Sequence, residues 1–424
     1  MTRLWNLPVL RLIATDRCRV AAPWFVWTRG NANASMLRRR ANALERDKLG
    51  ATHPLEQIPA AVLYLVISLP RILQALQRWG RSLRATDNIP YHRQFLHLWL
   101  CAWRMGLSPR VYYFLGLHRR RHPDSWRHVI DPSELHHLQR DASPADLNPL
   151  EDKILFTERA KKRGLPVVPI LALWKDGLPL APADPDMLKR DVFAKRALTY
   201  SSEGILGLRY DPATGKHRDA SGESPEVHLD NCFASRSRGT TLLVQPWLQN
   251  HPDLAGFSSG ALCNYRIVTG RHPDGRVEVL LAALRFPQAS RLTCAERDTT
   301  LCAAVDLITG RLHAAESKHP GMGRLVRHPV SGQPIEDFPV PRWEEMVALT
   351  TAAHAGWPDF PFIGWDVSDT SEGLFFLEGS CLWGGFLAQM SGSRPLGLTA
   401  FNDIYRETLA LRTQPKPCHP SAKG

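Results

Sequence analysis

Phe362-Ile363-Gly364-Trp365-Asp366-Val367-Ser368 and Leu374-Phe375-Phe376-Leu377-Glu378-Gly379-Ser380 flank Asp369-Thr370-Ser371-Glu372-Gly373, a turn-like cluster ending in glycine. Two runs rich in aromatic and β-branched residues around such a cluster predict a β-hairpin. Alternation puts Ile363, Trp365 and Val367 on one face with Phe375 and Leu377. With the turn centred near Ser371, Asp366 lies opposite about Phe376, and Glu378 is its diagonal neighbour on the other face. Diagonal neighbours sit roughly 7–8 Å apart at the backbone, close enough for two carboxylates to hold one hard cation. Gly364 on that face leaves room for a ligand. The alternative is an exposed sheet face on which both acids are simply solvated.

At 424 residues the chain is long enough for a large core and two or three domains. Hydrophobic residues make up 44% and charged residues 22%, as is ordinary for a soluble globular protein. The net charge of +12 is uneven: residues 1–150 hold 22 Lys and Arg against 10 Asp and Glu, and the remainder holds 31 of each. Excess cations confined to the first third point to an acidic partner for that part, such as an anionic membrane surface or a polyanion. Eight scattered cysteines with no CxxC pair argue against a zinc site or a disulfide framework and for a reducing compartment. Arg3, Arg11, Asp16, Arg17 and Arg19 interrupt the apolar core that a signal peptide needs. The expected location is cytoplasmic, with a peripheral place at the inner membrane face left open.

Residues 1–50, with Arg38-Arg39-Arg40, read as a basic leader of little independent structure, and 51–148 as a mainly helical region. The apolar run Ala60 to Leu69 falls short of the ~20 residues that span a bilayer, and Pro70 and Arg71 divide it from Ile72 to Leu76. It reads as a buried helix; the basic surroundings keep an interfacial anchor open. Gln94 to Met105 is a second, Trp-containing helix, and Ser108-Pro109 restarts the chain. Arg119-Arg120-Arg121 reads as a solvated helix end. No recognition-helix or RNA-binding motif accompanies it, so no specific nucleic-acid partner is expected. Asp-, Ser-, Pro- and Asn-rich residues 141–150 mark a domain boundary.

Beyond the boundary, Asp152-Lys153 opens a helix to about Arg163, ended by Gly164. On its own, Lys153 reads as an exposed helix lysine. Asp191 to Lys195 reads as a strand entering a small-residue loop that contains Ser201, Ser202 and Gly204. A lysine leaving a strand into such a loop can hold phosphate oxygens while backbone N–H groups cradle them, although many strand ends look the same. Thr241 to Leu248 is an apolar strand that stops at Pro246. Strands Ala261–Thr269 and Val277–Phe286 carry Arg266 and Arg285, which need an anionic partner if that end is covered. Whether the two share a face depends on the register. A helix, Trp343 to His354, precedes the hairpin, and the tail 414–424 is expected to be disordered.

In this order (lysine helix, strand–lysine–Ser/Gly loop, strand with Gln245-Pro246-Trp247-Leu248, arginine strands, Asp…Glu hairpin) the chain resembles the ATP-grasp superfamily over roughly residues 105–400. It looks closest to the sugar-transfer-associated ATP-grasp proteins. The sharpest pieces are Phe362 to Asp366, Leu377-Glu378-Gly379 and Asn264-Tyr265-Arg266-Ile267; Asn250-His251-Pro252 and Tyr112-Tyr113 also look like that subgroup. The resemblance implies an α+β fold in which two α+β subdomains, 149–250 and 251–413, clasp a nucleotide behind a mainly helical N-terminal region. It implies ATP and Mg²⁺ as cofactors. Lys153 and Lys195, with Ser201, Ser202 and Gly204, would contact the phosphates. Gln245, Pro246, Trp247 and Leu248 would form the hinge that reads adenine. Asp366, Glu378 and Ser380 would bind metal, and Arg266 and Arg285 would neutralise charge on the transferring phosphoryl group or substrate carboxylate.

The activity so implied is ADP-forming ligation of a carboxylate to an amine through an acyl phosphate, on a small molecule or a sugar-linked precursor of the cell surface. Two alternatives stay open. One is a phosphotransferase that stops after phosphoryl transfer. The other is a catalytically weak scaffold, peripheral to an anionic membrane through residues 1–121. Two departures from the family pattern stand out: Ser380 occupies the place of a usual asparagine, and Arg196-Ala197 replaces proline and glycines after Lys195.

Overall fold

The computed structural model describes residues 36–37, 39–41, 43–44, 57–120, 123–180, 185–197, 205–220, 228–258, 260–288, 300–317, 322–390 and 394–413. Ser201, Ser202, Gly204, Arg121, the tail and most of the leader lie outside the described residues.

The helical region opens with α1 (Gln57–Asp87), α2 (Tyr91–Met105) and α3 (Pro109–Phe114). The division expected at Pro70 does not occur, and α1 runs through it. A proline removes one helical hydrogen bond; burial of Ile67, Ile72, Ala75 and Leu83 on either side outweighs that loss. Gly106, at φ 65°, ends α2 in the left-handed conformation that glycine adopts without strain.

Two antiparallel sheets come next in the chain. The smaller holds β1 (Ala172–Lys175), β2 (Leu178–Pro179), β3 (Val192–Arg196), β4 (Leu206–Asp211), β5 (Lys216–Asp219) and β6 (Thr241–Pro246), in the order β2-β1-β6-β3-β4-β5. The larger holds β7 (Asn264–Arg271), β8 (Val277–Pro287), β9 (Thr300–Ala304), β10 (Ala315–Ser317), β11 (Arg324–Leu325), β12 (Phe362–Thr370) and β13 (Gly373–Ser380), in the order β11-β10-β9-β8-β7-β12-β13. The longer helices among and around them are α4 (Pro132–Ala142), α5 (Lys153–Lys162), α6 (Leu229–Arg236), α7 (Trp343–His354) and α8 (Phe401–Thr413). The architecture is α+β, as expected.

Period-two alternation sorts the large sheet. Tyr265, Ile267, Ala282, Leu284, Ile363, Trp365, Val367 and Phe376 share one core with Met346 of α7 and Phe156 of α5. Residues of opposite parity face the other way. There Ala283 and Cys302 are covered by α1, α2 and α3, and Val268, Leu281 and Phe362 by α8. Between these two covers runs a polar strip. The small sheet buries Val192, Ala194, Leu206, Leu208, Leu242 and Val244 with Phe233 of α6. Phe193, Lys195, Leu243 and Gln245 carry the opposite parity, paired as Phe193↔Gln245 and Lys195↔Leu243.

The Arg119-Arg120 segment is not the solvated helix end expected. Arg119 donates to both carboxylate oxygens of Asp87 (3.0 and 2.9 Å) at the end of α1, and to Glu316 Oε1 (3.1 Å) on β10. Arg120 Nη2 donates to the Gln389 carbonyl (2.8 Å). Glu316 is buried, and a buried carboxylate is tolerated only with a cation close by.

The hairpin forms with a register different from the one expected. Thr370 pairs with Gly373, leaving Ser371-Glu372 as the turn, and Val367 pairs with Phe376. A bulge at Leu377 then adds one residue, so that Asp366 pairs with Glu378. The acids are therefore direct partners, not diagonal ones. Leu374 and Phe376, rather than Phe375 and Leu377, share the buried face with Trp365, whose ring lies 5.2 Å from that of Phe376.

Candidate functional site

Directly paired residues of an antiparallel ladder stand about 4.5–5.5 Å apart at Cα with side chains on one face. Asp366 and Glu378 are such a pair, and their surroundings differ. Asp366, with a side chain only 5% exposed, accepts at Oδ1 from Arg266 Nε (2.5 Å) and at Oδ2 from Arg285 Nη2 and Asn264 Nδ2. The register places all of them together: Asp366 pairs with Arg266, and Asn264 with Arg285. The two arginines therefore share a face, the one the acids occupy. Burial acts to raise the Asp366 carboxyl, but the two guanidiniums prevail and hold it well below its ordinary value. Burial likewise opposes the Arg266 charge, and Asp366, Glu378 and Glu151 more than restore it. Glu378 is 33% exposed, with Lys153 Nζ 3.5 Å from its Oε2.

Lys153 opens α5, whose start is fixed by the Asp152 carboxylate accepting from Ile154 N (2.8 Å) and Leu155 N (3.1 Å). Lys195 lies near the end of β3, half-buried. Burial of its ammonium, with the Lys153 charge adding, lowers its pKa to about 8, while Glu378 and Asp366 act against that shift. Two lysines and two acids that lie far apart in sequence thus come within electrostatic reach of one another.

Ser380 shares the acids' side of β13, but its hydroxyl donates to Glu151 Oε1 (2.9 Å). The same oxygen accepts from Cys381 N (2.9 Å) and Leu382 N (3.2 Å). Glu151, two residues before Lys153, escapes a reading of the sequence. Its only signal there is an extra acid ahead of the capping Asp152. The room expected above Gly364 is taken by Trp383, since a Cβ there would meet Trp383 Cβ at 2.6 Å.

Along the segment expected to form the hinge, Gln245 Nε2 donates to the Val168 carbonyl (3.2 Å) and Trp247 N to that of Asp191 (2.9 Å). Pro246, the last residue of β6, pairs with Val192. The Arg209 guanidinium lies 4.0 Å from the Trp247 ring centroid. Gly207 passes so close to the same indole that a Cβ would lie 2.6 Å from Cζ3. Trp247 and Leu248 are buried.

Four cations around two acids suit a polyphosphate bridged to a divalent cation. Among the described residues, no three or more His, Cys, Asp or Glu form a group able to hold a metal ion. Mg²⁺ ordinarily takes one or two carboxylates and completes its shell with phosphate and water. The opposed Asp366 and Glu378 fit that requirement, with Glu378 the more accessible.

A family model described as sugar-transfer associated ATP-grasp matches residues 137–401. No curated protein matches the chain. Among solved structures, an ADP complex of purK, N5-carboxyaminoimidazole ribonucleotide synthetase, is 13% identical at a TM-score of 0.33, covering 60% of this chain and 52% of that one. A D-alanine-D-alanine ligase from Helicobacter pylori is 12% identical at 0.32, covering 64% and 59%. One from Bacillus anthracis complexed with ATP is 8% identical at 0.35, covering 62% and 68%. The chain therefore spans little more than half the length of the first two.

Proposed function

The chain belongs to the sugar-transfer associated ATP-grasp family, and from that premise we propose that it is an ATP- and Mg²⁺-dependent, ADP-forming carboxylate–amine ligase. The observation that carries the reading is the meeting of Lys153, Lys195, Asp366 and Glu378 from four separate elements. The hinge at Gln245–Leu248 supports an adenine site, because buried side chains and fixed backbone present a pre-formed edge.

Lys153 and Lys195 hold non-bridging phosphate oxygens, and Arg266 and Arg285 draw the substrate carboxylate towards the γ-phosphorus. A carboxylate oxygen attacks that phosphorus; the new O–P bond forms as the β–γ bridging bond breaks, and ADP leaves. The amine then attacks the acyl carbon, inorganic phosphate departs, and the nitrogen gives up a proton to solvent. When bound, Mg²⁺ would be held by Asp366 and Glu378 and would supply charge neutralisation on the phosphates. Through its interactions with Asp366, the polar strip keeps both guanidiniums pre-positioned, so little reorganisation is needed as charge develops. The sugar-transfer association of the family supports a carboxylate on a sugar-linked or other small precursor.

The test is nucleotide-dependent thermal stabilisation, followed by ADP release in mixtures of carboxylates and amines. A rise in melting temperature with ATP and Mg²⁺, lost in Lys195→Ala and Glu378→Gln, supports the reading; no shift in the parent protein overturns it. ADP release without any amine requirement would favour a simple phosphotransferase.

A further inference from the structure

The outer side of the α1–α2 hairpin carries a feature that catalysis does not use. On α2, Leu96 (51% exposed), Trp99 (40% exposed) and Trp103 recur at helical spacing, and the two indole rings lie 5.4 Å apart. On α1, Leu69 and Leu73 are 46% and 49% exposed. Gly80 of α1 abuts Tyr91 and Gln94 of α2, and Gln94 is buried. By helical periodicity, Leu96, Trp99 and Trp103 lie on the side of α2 away from Gln94 and that contact. Arg78, Arg81, Arg84, Arg93 and Arg104 are exposed on the same two helices. From 57 to 105 the sequence has six arginines, no lysine and one acid, Asp87, and the carboxylate of Asp87 is taken by Arg119.

We propose that the outer face of α2, with the arginines around it, docks on an anionic lipid bilayer. Neighbouring exposed leucines and tryptophans mark an interaction surface. The exposed indole of Trp99 suits the headgroup level, where one end of the ring is apolar and the other wet. Arginines reach lipid phosphates while their stems cover apolar surface. The near absence of acids selects a negative partner. Each arginine close to an anionic leaflet adds about fivefold to partitioning at low salt. Among the described residues, no helix is long and apolar enough to cross a membrane, and the geometry is that of an interfacial helix. The proposal is independent of the ligase reading.

The experiment is co-sedimentation of the full chain with phosphatidylglycerol-containing and with pure phosphatidylcholine vesicles, at low and high salt. Binding is expected to the first only and to weaken with salt. Leu96→Glu/Trp99→Glu and Arg81→Glu/Arg93→Glu should each reduce it by about tenfold or more, with the parent's melting temperature retained in at least one pair. Equal binding to both vesicle types overturns the proposal. So does undiminished binding by a variant pair that is still folded. Parent protein that ignores vesicles and self-associates in sedimentation velocity, with Leu96→Glu/Trp99→Glu abolishing that association, assigns the face to a second copy and also overturns it.

Discussion

Asp366 and Glu378 are paired directly across the β12–β13 ladder, yet one is clamped by two guanidiniums and the other opens towards a lysine and solvent. Their removal should therefore separate stability from binding. Asp366→Asn takes from the buried Arg266 its nearest counter-charge and should destabilise the fold by about 3–5 kcal/mol. Glu378→Gln should change stability by only about 0.5 kcal/mol while abolishing the Mg²⁺ dependence of nucleotide affinity. Urea unfolding and ATP titration of both variants check the contrast; equal destabilisation by the two would contradict it.

Lys195 gives a pH dependence of binding. Its pKa is lowered to about 8 by burial and the neighbouring Lys153 charge, and only the protonated form attracts phosphate. ATP affinity should be full at neutral pH and decline as pH rises through about 8. Lys195→Arg, charged throughout that range, should flatten the profile. Titrations with a fluorescent ATP analogue across the range measure this.

Glu151 is a positioning residue: one carboxylate oxygen ties Ser380, Cys381 and Leu382, just beyond Glu378, to the segment that presents Lys153. Hydrogen bonds to a charged group are worth about 1.5–3 kcal/mol, so Glu151→Ala should lower kcat/KM for ATP about tenfold or more. Glu151→Gln retains an accepting oxygen and should recover most of that loss. Failure of glutamine to rescue, at unchanged stability, would argue against the tie.

His354 predicts acid sensitivity of the fold. Its Nδ1 accepts from Thr269 Oγ1 (2.8 Å), which in turn accepts from Trp365 Nε1 (2.8 Å), and its Nε2 donates to the Phe360 carbonyl (2.8 Å). Burial is the main cause that lowers its pKa from 6.5 to about 4. Between those values the unfolded chain takes up a proton that the folded chain refuses, so stability should fall as pH drops from about 6.5 to about 4. Unfolding free energies for the parent and for His354→Gln, whose slope should be shallower, check the sign.

Local pattern announced much of this architecture. Trp343–His354 begins and ends where its sequence suggested, and the hairpin and the strand through Pro246 stand where alternation and turn residues put them. What escaped was geometry set by residues distant in the chain. The bulge at Leu377 has no glycine to mark it, and it decides whether Asp366 meets Phe376 or Glu378. Glu151 meets Ser380 only because the helical turn at 148–151 packs on β13. Arg119 looks solvated until Glu316 of a far strand is brought beneath it.

The link from Asp87 through Arg119 to Glu316 has a practical corollary. The segment matched to the family begins at residue 137, after both Asp87 and Arg119. Expressing that segment alone would remove Arg119 from Glu316 and wet the apolar surface around Ala283 and Cys302. The boundary drawn by homology is therefore not one along which this molecule can be cut: its front helices are masonry of the large sheet.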